Sequence, residues 1–465
     1  MFLLRQRASH INIESKVLGL LLSRLSFSLA VAVVAIILIS SVSVPQRASS
    51  SGIPIQHVIV IVQENHTFDN YFGTYPGANG LPPGVALPAE PNGTASVKPF
   101  PLNRDVPPRD VCHSWGCAHA EFDGGKMDGF VFTAGSVTTM GFFDYHQIPY
   151  YWDYASQYVL MDNYFSSVAG PSLPNHLYLV AGQSGGIVTN DHDTTLSFPS
   201  IFDELQSSGV SWRYYAQQYA SGWNPLPVFK SFVANPSLMK GIGDTSALAS
   251  DIVAGKLPSV SYVMPQDERV SEHPPQNVTA GQDWVVGLVD QIMRSQFWRS
   301  SAVFITWDDY GGWYDHVPPP QVDKYGYGFR VPCLIISPYA KQGFIDPTLA
   351  DHSSILKFIE TVFNLRPLAA RDAAASNLLE AFDFSQTPRA PLILPGSYLA
   401  EHYPLTFLAS PPKTVQTAVD AKSTGSTILS ISQPISGGDL ESSLVLAIAV
   451  LGVVAALRRF GRWRW

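Results

Sequence analysis

Cysteine is almost absent from this chain, with three (Cys112, Cys117 and Cys333) among 465 residues, too few for a fold held by a disulfide framework. Charge is sparse too: 14% of residues are Asp, Glu, Lys or Arg, and the net charge is −8. A mildly acidic surface of this kind offers no electrostatic footprint for DNA or RNA, which argues against a nucleic-acid partner. No internal repeat is present, and long apolar runs are confined to the two ends. What the chain has instead is 12% aromatic residues, 36 Pro and 35 Gly, the composition of a domain whose ordered loops lie over regular elements.

The N-terminus carries Arg5, Arg7, Lys16 and Arg24, then an apolar run from Phe27 to Val44, then the polar stretch Gln46 to Gly52. That order is the order of an export signal or an uncleaved membrane anchor over residues 1–52, with the Ala48-Ser49-Ser50 region as a cleavage point. At the other end Ser442 to Leu457 is apolar and precedes Arg458, Arg459, Arg462 and Arg464, interleaved with Trp463 and Trp465. Residues 439–465 therefore read as a C-terminal transmembrane anchor with a cytoplasmic basic tail. The run is short of the roughly 20 residues of a full span, so an interfacial helix is the alternative. Residues 411–438, rich in Ser and Thr, suit an extended stalk. The expected arrangement is an exported protein, anchored at the cell surface, with a single large domain over 53–410 outside. Cys112 and Cys117 are close enough for a small bridged loop, which export permits, or for a zinc site with His113 and His119. Asn92-Gly93-Thr94 and Asn277-Val278-Thr279 are glycan acceptor triplets.

From residue 53 onward, short apolar runs alternate with amphipathic segments, the pattern of an α/β domain with a mostly parallel sheet. Strands are expected at His57 to Val62, Ala302 to Trp307 and Val331 to Ser337, each nearly continuously apolar, as a sheet covered on both faces requires. Helices are expected at Pro199 to Ser208, Trp284 to Ser295 and His352 to Phe363, with a Pro/Gly-rich excursion from Tyr75 to Arg109. Ligands of open α/β sheets gather beyond the carboxyl ends of the strands. The first strand runs into Glu64-Asn65 and the second into Asp308-Asp309, so adjacent strands would bring four polar groups to one edge.

Crowded carboxylates repel one another and resist desolvation, so such a group needs a cation. A divalent metal would polarise a phosphoryl oxygen and lower the pKa of a coordinated hydroxyl. Ser172, in Gly170-Pro171-Ser172-Leu173-Pro174-Asn175-His176, stands just ahead of an expected helix start, where backbone N–H groups favour a phosphate or an alkoxide. Beside a metal it becomes an activated nucleophile. The plainer readings are a helix cap for Glu64 and Asp69, a turn for Asp308 to Gly312, and an N-cap for Ser172. His113, His273 and His316 fall in the most motif-like loops, where they could donate to phosphoryl oxygens or protonate a leaving group.

Glu64 to Gly73 (ENHTFDNYFG) resembles the opening signature of the phosphoesterase family that includes bacterial phospholipase C and acid phosphatases. Gly125 to Phe130, Gly170 to Asn175, Glu272 to Pro275 and Thr306 to Pro318 (TWDDYGGWYDHVP) are similar to its further motifs, in the family's order. The resemblance implies a three-layer α/β/α sandwich like that of alkaline phosphatase. It implies a divalent metal ion held by Glu64, Asn65, Ser172, Asp308 and Asp309, with Ser172 as the nucleophile that forms a phosphoserine. It also implies that His113 and His273 contact the phosphoryl group, with His316 the third catalytic candidate. The chain departs from the family pattern at His66 and His176, where arginine is common, at Ser172, where phospholipase C members often have threonine, and at Asp309, which replaces a frequent glutamate. Hard oxygen ligands suit Mg, Ca or Mn, and recruiting a histidine would favour Zn or Fe. The expected activity is hydrolysis of a phosphate ester, acid phosphatase-like. The alternatives are a phospholipase C-type diesterase and a catalytically silent surface protein. A sulfatase is set aside because no Cys-x-Pro-x-Arg segment is present.

Overall fold

The computed structural model describes residues 52–191, 195–216, 224–265 and 267–395. Apart from Gly52, the expected export segment, stalk and C-terminal anchor lie outside these residues. Among the described residues no helix is long and apolar enough to cross a membrane.

The central sheet has eight strands: His57–Gln63 (β1), Val159–Met161 (β2), Trp212–Tyr215 (β3), Ile242–Gly243 (β4), Val260–Val263 (β5), Ser301–Trp307 (β6), Cys333–Ile336 (β7) and Phe344–Asp346 (β8). They lie in the order β8-β2-β7-β6-β1-β5-β3-β4. Only β7 runs against its neighbours; every other pairing is parallel. The Val/Ile runs of β1 and β6 are buried along their whole length, because β-branched side chains suit a pleat that is covered on both faces.

The helices that matter here are Phe68–Phe72 (α1), Trp115–Phe122 (α2), Pro149–Gln157 (α3), Ser172–Ala181 (α4), Ile201–Ser207 (α5), Val278–Arg294 (α6) and His352–Phe363 (α7). Phe304 of β6 packs its ring on Phe358 of α7, with centroids 5.0 Å apart. Trp307, three residues on and so on the opposite face of the strand, packs on Tyr151 of α3 at 5.2 Å. Helices α7 and α3 therefore cover opposite faces, giving the three-layer α/β/α arrangement; α4 packs beside α7, and α6 beside α3.

The expected strands are present, each displaced by no more than two residues at an end, and α7 has the bounds expected for it. Helix α6 begins at Val278 rather than Trp284, capped by the Asn277 side chain, which accepts from the Ala280 N–H. Gly281 makes that first turn look loop-like in sequence. Its reason is tertiary: a Cβ there would stand 2.2 Å from Cγ of Glu272. The Tyr75 to Arg109 excursion holds only two-residue strands, paired between Leu87–Pro88 and Ser96–Val97 and between Phe100–Pro101 and Gly141–Phe142. Cys112 and Cys117 are joined by a disulfide at the start of α2. The zinc reading of that pair is thereby corrected, since bridged sulfurs are not thiolate ligands, while Cys333 is free and buried in β7.

Candidate active site

The parallel register of β1 and β6 pairs Gln63 with Trp307, so the next residues of both strands emerge side by side at one sheet edge. These are Glu64 and Asn65 from one strand and Asp308 and Asp309 from the other, all four fully buried. Asn65 takes a left-handed conformation at φ 66°, which Asn tolerates better than most residues. Its N–H thereby donates to Asp308 Oδ1 at 3.0 Å. Gly311 closes the loop over it, where a Cβ would collide with the Asn65 carbonyl at 2.2 Å. The Gly311 N–H donates to Asp309 Oδ1 at 2.7 Å. Asp308 to Gly312 is thus a turn, and one that aims its two carboxylates inward.

Helix α4 delivers the serine. Pro171 is its N-cap residue and Ser172 its first helical residue, so Ser172 does not cap; its hydroxyl donates to Asp309 Oδ2 at 3.1 Å. Asn175 holds the approach to the helix: its Oδ1 accepts from the Val168 N–H, and its Nδ2 donates to the carbonyls of Val168, Gly170 and Pro171. Four hydrogen bonds from one side chain set the path of the Gly-Pro-Ser segment. The cap of α1 is Thr67, whose hydroxyl accepts from Asn70, which leaves Glu64 free of a capping role.

Burial, followed by the facing Asp308 and Asp309 carboxylates, pushes Glu64 well above the usual carboxylate range. Burial and Asp308 do the same to Asp309. Asp308 goes the other way: burial alone would raise it, but His176, the Ser172 hydroxyl and the Asn65 N–H together outweigh burial and hold it down. Glu64 Oε2, Asn65 Oδ1 and Asp308 Oδ2 are buried with no hydrogen-bond partner. Orphaned acceptors of this kind are costly inside a protein. A group of oxygen acceptors converging without donors is what a divalent cation satisfies, so the residues present fit the metal that the sequence resemblance implies.

Two of the three expected histidines adjoin this group. His113 Nε2 lies 3.2 Å from Asn65 Nδ2, with Nδ1 bonded to the Val111 carbonyl at 2.8 Å. His273 packs edge-on to it, with ring centroids 5.9 Å apart. Both are partly exposed, as is Ser172, so a buried acidic floor carries an accessible rim. His316 has other partners. Its Nδ1 bonds to Asp69 at 2.7 Å and its Nε2 to Asn79 at 3.3 Å, in a buried ion-pair group where Arg330 bridges Asp69 and Asp315.

The profile of the Phosphoesterase family matches residues 55–366, a span that contains every residue of this geometry. The chain belongs to the phosphoesterase family. Curated relatives include the non-hemolytic phospholipase C of Pseudomonas aeruginosa, 27% identical over 72% of this chain and 58% of its own length. Another is phospholipase C B of Mycobacterium tuberculosis, 29% identical over 78% of this chain and 84% of its own. The chain thus spans under two thirds of the Pseudomonas protein. Among solved structures, an alkaline phosphatase superfamily protein from Vibrio parahaemolyticus aligns at 12% identity and a TM-score of 0.35, over 69% of each chain.

This phosphoesterase site contains two histidines whose role sequence reasoning missed. His352, the first residue of α7, donates Nε2–H to the Asp308 carbonyl at 2.7 Å, while its Nδ1 accepts from the Tyr164 hydroxyl at 3.1 Å. Burial pushes its pKa down to about 4, so the neutral ring positions the Asp308 backbone. His176 reaches Glu64 Oε1 at 3.3 Å and Asp308 Oδ2 at 3.6 Å. Its position one turn beyond Ser172 on α4 was the available signal, because residues four apart share a helix face. His66, at the other position where the family commonly has arginine, serves packing: its ring nitrogens bond to Asn70 and to the Glu272 carbonyl, and it stacks on Tyr71.

Proposed function

We propose that this phosphoesterase is a metal-dependent phosphoester hydrolase that works through a covalent phosphoserine on Ser172. The observation that carries the reading is the hydrogen bond from the Ser172 hydroxyl to Asp309 Oδ2 at 3.1 Å, beside three buried acceptors with no donor. The Ser172 hydroxyl, already directed at Asp309 Oδ2, would lose its proton as the Oγ–P bond forms and the bond from phosphorus to the leaving alcohol breaks. His113 and His273, on the accessible rim, would give the departing oxygen its proton. Water then attacks the phosphoserine: a new O–P bond forms, the P–Oγ bond breaks to release the phosphoryl product, and the proton shed by the water restores the Ser172 hydroxyl. A divalent ion held by Glu64, Asn65, Ser172, Asp308 and Asp309 would supply positive charge to the phosphoryl oxygens and favour the ionised serine.

For substrate class, the relatives named phospholipase C shift the preference from the phosphate monoester expected from sequence to a phospholipid diester. The exported location is favoured by the basic, apolar, polar order of residues 1–52 and by the Cys112–Cys117 disulfide, since such bonds persist in oxidising compartments. We place the catalytic domain outside the cell, tethered through the terminal apolar segments. The test is turnover of phosphatidylcholine beside p-nitrophenyl phosphate, before and after chelation. Chelator-sensitive release of the phosphorylated headgroup supports the proposal, and monoester turnover alone would restore the acid phosphatase reading. Turnover of neither substrate after metal reconstitution, with the metal bound, would favour a silent surface protein.

A further inference from the structure

Resting on the metal-dependent reading above, we propose that His176 is a nitrogen ligand of the cation site, so that the site takes a borderline transition metal such as zinc or iron in preference to magnesium or calcium.

Three observations lead there. Ser172 and His176 stand at positions i and i+4 of α4, on one face of the helix, and both reach the acidic group: Ser172 to Asp309, His176 to Glu64 and Asp308. The atoms are spaced as ligands. Two donors each about 2.1 Å from a shared ion stand at most about 4.2 Å apart, and His176 Nε2 lies within that reach of both carboxylates, 3.3 Å from Glu64 Oε1 and 3.6 Å from Asp308 Oδ2. One ligand atom from each of these three residues fits within 4.8 Å of the others. The third observation is the spare acceptors: His176 Nε2 hydrogen-bonds Glu64 Oε1 at 3.3 Å, while Glu64 Oε2 and Asp308 Oδ2 have no hydrogen-bond partner, and His176 is only 2% exposed. A buried imidazole turned onto two carboxylates with spare lone pairs completes a mixed nitrogen and oxygen set.

The chemistry of that set decides the metal class. Oxygen-only sites suit hard cations, whereas imidazole raises affinity for zinc, iron and their neighbours and adds little for magnesium or calcium. Where the family commonly has arginine, a fixed cation that cannot ligate, this chain places a group that can. The departure at residue 176 would therefore alter which ion the site selects.

The experiment uses the full chain, stripped with a chelator. Loaded with Mn2+, the wild type should show nitrogen-14 modulation in pulsed electron paramagnetic resonance; His176→Gln should lose it and His113→Gln should keep it. Calorimetric titration should show Zn2+ affinity falling in His176→Gln by at least the about 10–100-fold that loss of an outer-shell partner costs, with Mg2+ affinity changed by less than about 3-fold. A wild-type spectrum without nitrogen coupling overturns the assignment even if the variant fails to fold. Persistence of the signal in His176→Gln, or equal loss of Zn2+ and Mg2+ affinity, does so as well. In those cases a wild type that still binds Mn2+ and cleaves phosphatidylcholine leaves the hydrolase reading standing; a wild type that binds no divalent ion removes both.

Discussion

The hydroxyl of Ser172 and the carboxylate of Asp309, 137 positions apart in the chain, meet at 3.1 Å. The meeting follows from two separate constructions. One is the β6 turn, whose Gly311 N–H fixes the other oxygen of Asp309, and the other is the α4 entry, laced together by Asn175.

Replacing Ser172 by Ala removes the proposed attacking oxygen together with its hydrogen bond to Asp309 and should leave the fold intact, because the residue is partly exposed and does not cap its helix. Turnover of phosphatidylcholine should fall by at least about 10³-fold. The melting temperature should stay within a few degrees of wild type. Retained turnover in this variant would reject the nucleophile.

Asp308→Asn should weaken the proposed metal site while keeping the shape of the side chain. Elemental analysis of the purified variant is expected to find about a tenth or less of the wild-type divalent metal. Chelation should lower the melting temperature of the wild type and leave the variant unmoved, and an equal response in both would place the metal elsewhere.

Glu272 gives a pH dependence with a definite sign. Tyr71, Tyr151, Trp307 and Gln63 all donate to its carboxylate, yet burial outweighs them and raises its pKa from 4.5 to about 7. The folded state therefore holds this proton more tightly than the unfolded chain does. The resulting stabilisation is complete below pH 4.5 and is lost as pH rises towards 7, by about 3 kcal/mol. Urea unfolding across that window should show the wild type losing this much more stability than Glu272→Gln. Parallel curves for the two proteins would contradict the assignment.

Arg330, fully buried, pairs with both Asp315 and Asp69 and lies over the Phe68 ring with its guanidinium carbon 4.6 Å from the centroid. Arg330→Met would strand two buried carboxylates, a change that costs about 3–5 kcal/mol when one partner of a buried pair is removed. Denaturant unfolding would measure it, and a loss below about 1 kcal/mol would show that Asp69 and Asp315 find other partners or protons. His316, held by the same Asp69, should lose its fixed position in this variant.

The acidic strand ends were legible because a parallel α/β sheet puts the carboxyl ends of its strands on one edge, so Glu64-Asn65 and Asp308-Asp309 could be placed together from local pattern alone. The start of α6 was not legible, since Gly281 answers to Glu272 across the fold rather than to its own neighbours. Among the histidines, motif position alone could not separate His113, which adjoins Asn65, and His273, which packs on His113, from His316, which bonds to Asp69 and Asn79.

By itself, then, the order of residues determined the class of fold and the three segments whose oxygen donors meet at one sheet edge, because strand periodicity and short motifs are local properties. Tertiary structure alone decided that Ser172 faces Asp309, that His176 rather than His316 turns onto Glu64 and Asp308, and that Cys112 is bonded to Cys117. An imidazole or a carboxylate acquires its role from whichever group packing sets against it, and those partners come from strands and helices more than a hundred residues away.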